Sequence, residues 1–265
     1  MRRPYAYFVV SAVFHYLGPS FAVLLFARVD VLGVAWLRIA SAALVFAAWR
    51  RPTLRPDRTV LAWGAVLAAM NCCFYLAIAR LPLATVAAIE FLPVIVLAAL
   101  GARTPRNVLA LALAVPGVYL LTGVHLQSAP LGLAFALLNA LLFAAYIVLA
   151  DRAAAQGGVD ALGAAMLAAA IAVTPVAGAA ARPALGDPVA LLAGVGVGVS
   201  SSVIPYVTDQ LALARLDRAT YALMISLLPA VATVIGVVVL TQIPTALDVA
   251  GVALVIGGVA LHREP

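Results

Sequence analysis

The sequence predicts an all-α integral membrane protein whose ten transmembrane helices form two inverted five-helix repeats. Three observations lead there. The 265 residues are 66% hydrophobic and only 10% charged, with a mean hydropathy of +1.16. A water-soluble domain of this length needs a more charged surface, so most of the chain is solvated by lipid. Arg, Asp, Pro and Gly divide the apolar sequence into stretches of about 20 residues, the length that crosses the hydrocarbon as a helix. Finally, one segment recurs: "IARLPLATVAAIEFLP" (Ile78–Pro93) returns as "LARLDRATYALMISLLP" (Leu213–Pro229).

The ten spans are expected at 5–26, 31–49, 60–79, 82–101, 105–123, 130–150, 160–181, 189–212, 218–240 and 245–261. The first opens with "MRRPYAYFVVSAVF", which lacks a small-residue cleavage site and reads as a membrane helix rather than a removed leader. The connections are too short for a soluble domain, so 1–265 is one membrane domain. All 16 cationic residues are arginine. With a cytoplasmic N-terminus, the inner side holds Arg2, Arg3, Arg50, Arg51, Arg55, Arg58, Arg103, Arg106, Arg152, Arg215, Arg218 and Arg263. The outer side holds Arg28, Arg80 and Arg182, and Arg38 falls within the second span. Basic residues concentrate in cytoplasmic loops, so both termini are expected in the cytoplasm of a bacterial inner membrane. Arginines spread between apolar spans mark membrane orientation and not nucleic-acid binding.

The recurring segment matches Arg80 to Arg215, Ala84 to Ala219 and Thr85 to Thr220 at an offset of 135 residues, which becomes 136 at Pro93 and Pro229. A weaker match at an offset of 124 pairs Arg28 with Arg152 and His15 with Asn139. Repeat one is expected over 5–123 and repeat two over 130–261. Five crossings carry the chain to the opposite face, so the second copy starts inverted. Inverted repeats with a site near the midplane are common in secondary transporters, whose halves rock to expose that site alternately.

Polar residues at depth are the candidates for that site. Glu90 lies eight residues beyond Pro82, roughly 12 Å along a helix, where an acid costs about 2.5–3.5 kcal/mol to insert. It is either locked in a helix-to-helix hydrogen bond or faces a cavity, where it could exchange protons during transport. Arg38, about 10 Å into the second span, could pair with Glu90, bind an anionic substrate group or snorkel to the interface. His15 and Asn139 hold matched positions, and Gly18–Pro19 is expected to loosen the helix beside His15. Asn71 lies mid-span, with Tyr75 one turn on. "SSSVIPYVTDQ" gathers Ser200, Ser201, Ser202, Tyr206 and Asp209, of which Tyr206 is the better cavity candidate, alongside Tyr75 and Tyr146. Asp209 is expected near the interface. The substrate-binding set is thus Glu90, Asn71, Arg38, His15, Tyr75, Asn139 and Tyr206.

Other features carry less. "GVGVGVSS" has no following Lys to make a phosphate loop, and its small residues suit close helix packing or a flexible gate. Cys72 and Cys73 are adjacent in an apolar run and form no disulfide framework. His125 and His262 have no metal-ligand spacing. No cofactor is expected.

With these segments in view, the chain resembles the ten-helix EamA-type branch of the drug/metabolite transporter superfamily. The resemblance is carried by "WLRIASAAL", "NCCFYLAIARLPLATVAAIEF" and "IPYVTDQLALARLDRATYALMISLLPAVATVIGVVVL", and it is closest to bacterial threonine/homoserine exporters, with aromatic amino-acid exporters sharing the plan. It implies export of amino acids or related small metabolites by alternating access, and no enzymatic activity. Rival readings are an exporter of cationic drugs or nucleotide sugars, and an intramembrane enzyme. The chain departs from the family where members carry "LGE" after the ninth span: "VVVLTQIPT" puts Gln242 in that place. The glutamate's role, such as stabilising a helix start, does not carry over from the resemblance.

Overall fold

The computed structural model describes residues 3–50, 57–93, 104–125, 129–154, 159–213, 215 and 227–261. These form helices joined by short turns, with no strand among them. The helices are α1 (Arg3–Leu25), α2 (Val31–Arg50), α3 (Arg58–Ile78), α4 (Leu83–Glu90), α5 (Pro105–His125), α6 (Pro130–Ala154) and α7 (Val159–Ala177). After a short 3-10 turn and a one-turn helix come α8 (Pro188–Gly198), α9 (Ile204–Leu213), α10 (Leu228–Leu240) and α11 (Ala246–Leu261). A π-helical turn, Val199–Val203, fuses α8 and α9 into one rod. Among the described residues, six helices are long and apolar enough to cross a membrane: α1, α2, α3, α6, α7 and the α8–α9 rod. Large apolar side chains such as Leu44, Leu192 and Val238 point outward, as lipid solvation allows and water does not. The expected stretches at 94–101 and 218–226 lie outside the described residues.

The helix starts follow local chemistry. Asp57 accepts from the Thr59 N–H at 2.8 Å to cap α3. Asp187 accepts from the Val189 and Ala190 N–H groups to cap α8. Such caps satisfy donors that the helix itself cannot. Before α11, Thr245 and Asp248 exchange hydrogen bonds in a capping box, and Thr104 accepts from Asn107 N–H at the start of α5.

Two features depart from uniform spans. The fourth helix is interrupted at Phe91, which has turn geometry (φ −82°, ψ −12°). Leu227, just before α10, has nearly the same backbone (φ −82°, ψ −9°). Each residue lies two positions before a proline, Pro93 or Pro229, whose ring removes an N–H and crowds the preceding turn. By contrast, α1 runs unbroken through Gly18 and Pro19. Gly18 serves contact instead, because a Cβ on it would collide with the Ser200 and Ser201 hydroxyls.

Packing places α1 against the α8–α9 rod and α10, α2 against α7 and the rod, α3 against α6 and α7, α4 against α6 and α10, and α5 against α11. The "GVGVGV" glycines allow close approach: a Cβ on Gly194 would strike Leu37, and one on Gly198 would strike Ser41. The α5–α11 crossing is equally close, with Gly117 and Gly251 each facing the other's carbonyl. Small residues bring backbones together where no hydrophobic drive exists between helices.

Candidate functional site

Among the described residues, the centre of the bundle holds a buried arginine and a buried glutamate, Arg38 and Glu90. Arg38 does not snorkel. It is buried and turns inward from α2 to the π-helical turn, where its Nε donates to Ser202 Oγ at 3.0 Å and its Nη2 to the Ser201 carbonyl at 3.2 Å. The guanidinium carbon lies 5.4 Å from the centre of the Tyr75 ring, within cation–π reach. An extra residue in one turn, as in a π-bulge, alters the local hydrogen-bond ladder and recurs at functional sites. Here that turn presents two successive serines to one guanidinium.

Glu90 ends α4 at the interruption and is buried. Its Oε1 accepts from Asn139 Nδ2 on α6 at 3.0 Å. The matched pair His15 and Asn139 thus diverges in role. Asn139 holds Glu90, while His15 lies within electrostatic reach of Arg38 and its ring meets Tyr16 edge-on at 5.2 Å. The Tyr206 hydroxyl also faces Arg38.

The Arg38–Glu90 ion pair, one of the roles the sequence left open for Arg38, does not form. Among the described residues the ion pairs are Arg28–Asp187 at 3.4 Å and Arg50–Asp160 at 2.7 Å, at opposite ends of the bundle. Asn71 is buried but turns to its own helix, its Nδ2 donating to the Leu67 carbonyl at 2.8 Å. Tyr146 stacks on Phe143 along α6.

Three residues near these charges did not stand out in the sequence. Ser201 and Ser202 belong to the noted serine run, but nothing local says which serine meets Arg38 across more than 160 residues of chain. Tyr16, fully buried and within electrostatic reach of Glu90, is the neighbour of His15 and carries no signal of its own. Gln242, noted as a departure, has a definite place: its Oε1 accepts from the Leu83 N–H at 3.0 Å and caps the start of α4.

An apolar groove of about 490 Å³ runs between α1 and α8, lined by Phe21, Leu24, Val189 and Ala193 and reaching Ser200, with Arg28 also on its wall. Neither Arg38 nor Glu90 lines it.

The profile of the EamA-like transporter family matches residues 130–263. The threonine/homoserine exporter RhtA of Salmonella typhimurium is 32% identical over 261 residues, covering 94% of this chain and 88% of its own length. RhtA of Escherichia coli is 31% identical over 247 residues, covering 90% and 84%. A solved protein structure shares the fold, with a TM-score of 0.59 at 21% identity over 97% of this chain and 96% of the other. With membrane-length helices around a charged centre, and kinship along nearly its whole length, the chain belongs to the EamA-like transporter family.

Proposed function

We propose that this protein exports amino acids or related small metabolites across the bacterial inner membrane by alternating access between two inverted five-helix halves. The observation that carries this reading is the whole-length kinship with relatives named as threonine/homoserine exporters. The halves are 5–123 and 130–261, with both termini cytoplasmic.

The packing pattern supports the inversion. Exchanging each helix for its partner in the other half turns the α3–α6 contact into that of the α8–α9 rod with α1. It likewise turns α1–α10 into α6–α4, and leaves α5–α11, α4–α10 and α2–α7 paired with themselves. The like backbone of Phe91 and Leu227, each two residues before a proline, and the Thr104 and Thr245 caps follow the same exchange. Discontinuous helices beside a midplane site are a recurrent transporter device.

Substrate would meet Glu90, Arg38, Tyr75, Asn139 and Tyr206, with His15 and Asn71 supporting the cavity walls. Glu90 could carry a proton through the cycle. A buried arginine disfavours a purely cationic drug as ligand. The test is exchange of a panel of radiolabelled amino acids by purified protein in liposomes. Saturable exchange of at least one is expected. Flux of another metabolite with none for any amino acid would overturn the substrate class.

A further inference from the structure

We propose that the central charges form a two-ended clamp for a zwitterion, in which Arg38, Ser201 and Tyr75 take the ligand's carboxylate and Glu90, Asn139 and Tyr16 take its ammonium group. This rests on the amino-acid reading above, and adds the ligand's orientation and the roles of Ser201 and Tyr16.

The first support is charge. Arg38 and Glu90 are both buried, and neither has an opposite charge within ion-pair distance among the described residues. Buried charges in a membrane are paired or belong to a substrate path. Two such charges of opposite sign suit a ligand that carries both.

The second support is the sorting of polar atoms. Among the described residues, four fully buried side chains carry a polar atom without a hydrogen-bond partner: Tyr16 Oη, Tyr75 Oη, Ser201 Oγ and Asn139 Oδ1. Such atoms are rare enough in folded proteins to need a reason. Their placement is not random. The Tyr75 hydroxyl lies against Ser201 and Arg38 but meets neither in hydrogen-bond geometry. Arg38 itself has five N–H donors, of which Nε and one on Nη2 are engaged. Hydroxyl and guanidinium donors therefore converge at one end, as a carboxylate requires. At the other end Asn139 spends its amide donor on Glu90, leaving Oδ1 as an acceptor beside the carboxylate. The Tyr16 oxygen lies within electrostatic reach of the same carboxylate. An ammonium group, with three donors and no acceptor, matches that set.

The clamp predicts that both ligand charges are required. In liposomes exchanging radiolabelled threonine, unlabelled threonine should compete at least tenfold better than threonine methyl ester, which lacks the anion. It should also compete at least tenfold better than 2,3-dihydroxybutanoate, which lacks the cation. Arg38→Gln should weaken threonine at least tenfold while leaving the ester's weak competition unchanged, and Glu90→Gln should do the same with respect to dihydroxybutanoate. Ser201→Ala, a small change at a buried site, should weaken threonine several-fold without affecting the ester. Melting temperatures in detergent would identify any variant that fails to fold, and Ser201→Ala then decides the carboxylate end. Threonine exchange with equal competition by the ester, or equal losses for threonine and ester in the Arg38 and Ser201 variants, would overturn the clamp alone. Where the panel shows a different amino acid to be the one exchanged, its own ester and deaminated acid take threonine's place; no exchange of any amino acid by the wild type would overturn the clamp together with the reading beneath it.

Discussion

Asn139 on α6 donates a 3.0 Å hydrogen bond to Glu90 on α4, joining helices assigned to opposite halves of the chain. Removing the donor strands a buried acid. Asn139→Ala should therefore destabilise by about 1–3 kcal/mol, the cost of an unsatisfied buried group. Glu90→Gln keeps an acceptor for Asn139 and should cost under about 1 kcal/mol. A double-mutant cycle on thermal unfolding in detergent reads the coupling. If Glu90 carries the transported proton, Glu90→Gln should also flatten the pH dependence of exchange.

Gln242 does locally what a helix cap does. With its Oε1 on the Leu83 N–H, Gln242→Ala should cost about 0.5–2 kcal/mol, in line with other lost caps. Gln242→Glu keeps the acceptor and adds a negative charge at a helix N-terminus, which should leave stability unchanged or raise it by about 0.3–1 kcal/mol. Unfolding midpoints of the two variants should move apart, with alanine the lower.

The α5–α11 crossing has no room for side chains at Gly117, where a Cβ would sit 2.8 Å from the Gly251 carbonyl. Gly117→Leu should separate the helices and cost about 1–3 kcal/mol or more, as overpacking does. Loss of folded material in size-exclusion chromatography would show it. A variant as stable as wild type would contradict the close crossing.

Arg80 and Arg215 hold matched positions in the recurring segment. Arg80 donates to the Leu76 carbonyl and lies 5.6 Å from the Phe135 ring of α6. Arg215 donates to the Leu211 carbonyl and lies 5.4 Å from the Tyr7 ring of α1. If each fastens one mouth, removing a cation–π contact of about 0.5–1 kcal/mol should shift the balance of states roughly two- to fivefold. Arg80→Ala and Arg215→Ala should change thiol labelling of introduced cysteines in opposite directions. Shifts in the same direction would argue against matched latches.

Asp187 supplies a pH dependence outside the spans. The Ala190 N–H, with Val189 N–H and Arg28 beside it, holds its carboxyl below the ordinary value of 3.8. A carboxyl lowered on folding contributes stability above its unfolded value and loses it as pH falls through the lower folded value. Asp187→Ala should therefore be less stable than wild type at pH 6, and the difference in melting temperature should shrink below about pH 4.

The periodic parts of this molecule were legible because lipid imposes them. Expected and observed limits agree within a few residues for α1 to α3, α5, α6 and α11, since an apolar stretch bounded by Arg or Pro has few alternatives. Residue counting singled out Arg38 and Glu90 within apolar spans, and both are buried in the bundle. Their partners did not follow. Arg38 meets serines in the π-helical turn rather than Glu90, because the choice depends on how α2 and the α8–α9 rod are rotated against each other. The interruption at Phe91 had a sequence signal, Pro93, that a reading of 82–101 as one uniform span passes over. Asn71 looked like a cavity residue from its depth alone, yet its amide could also turn back to Leu67, and hydropathy does not distinguish the two.

Counterflow of radiolabelled threonine in liposomes most directly tests an exporter with one alternately exposed central site. Vesicles loaded with unlabelled threonine should accumulate label transiently above equilibrium. Empty vesicles should not, and Arg38→Gln should need at least tenfold more threonine to give the same overshoot. Equal label in loaded and empty vesicles containing folded wild-type protein would contradict carriage of threonine by this site.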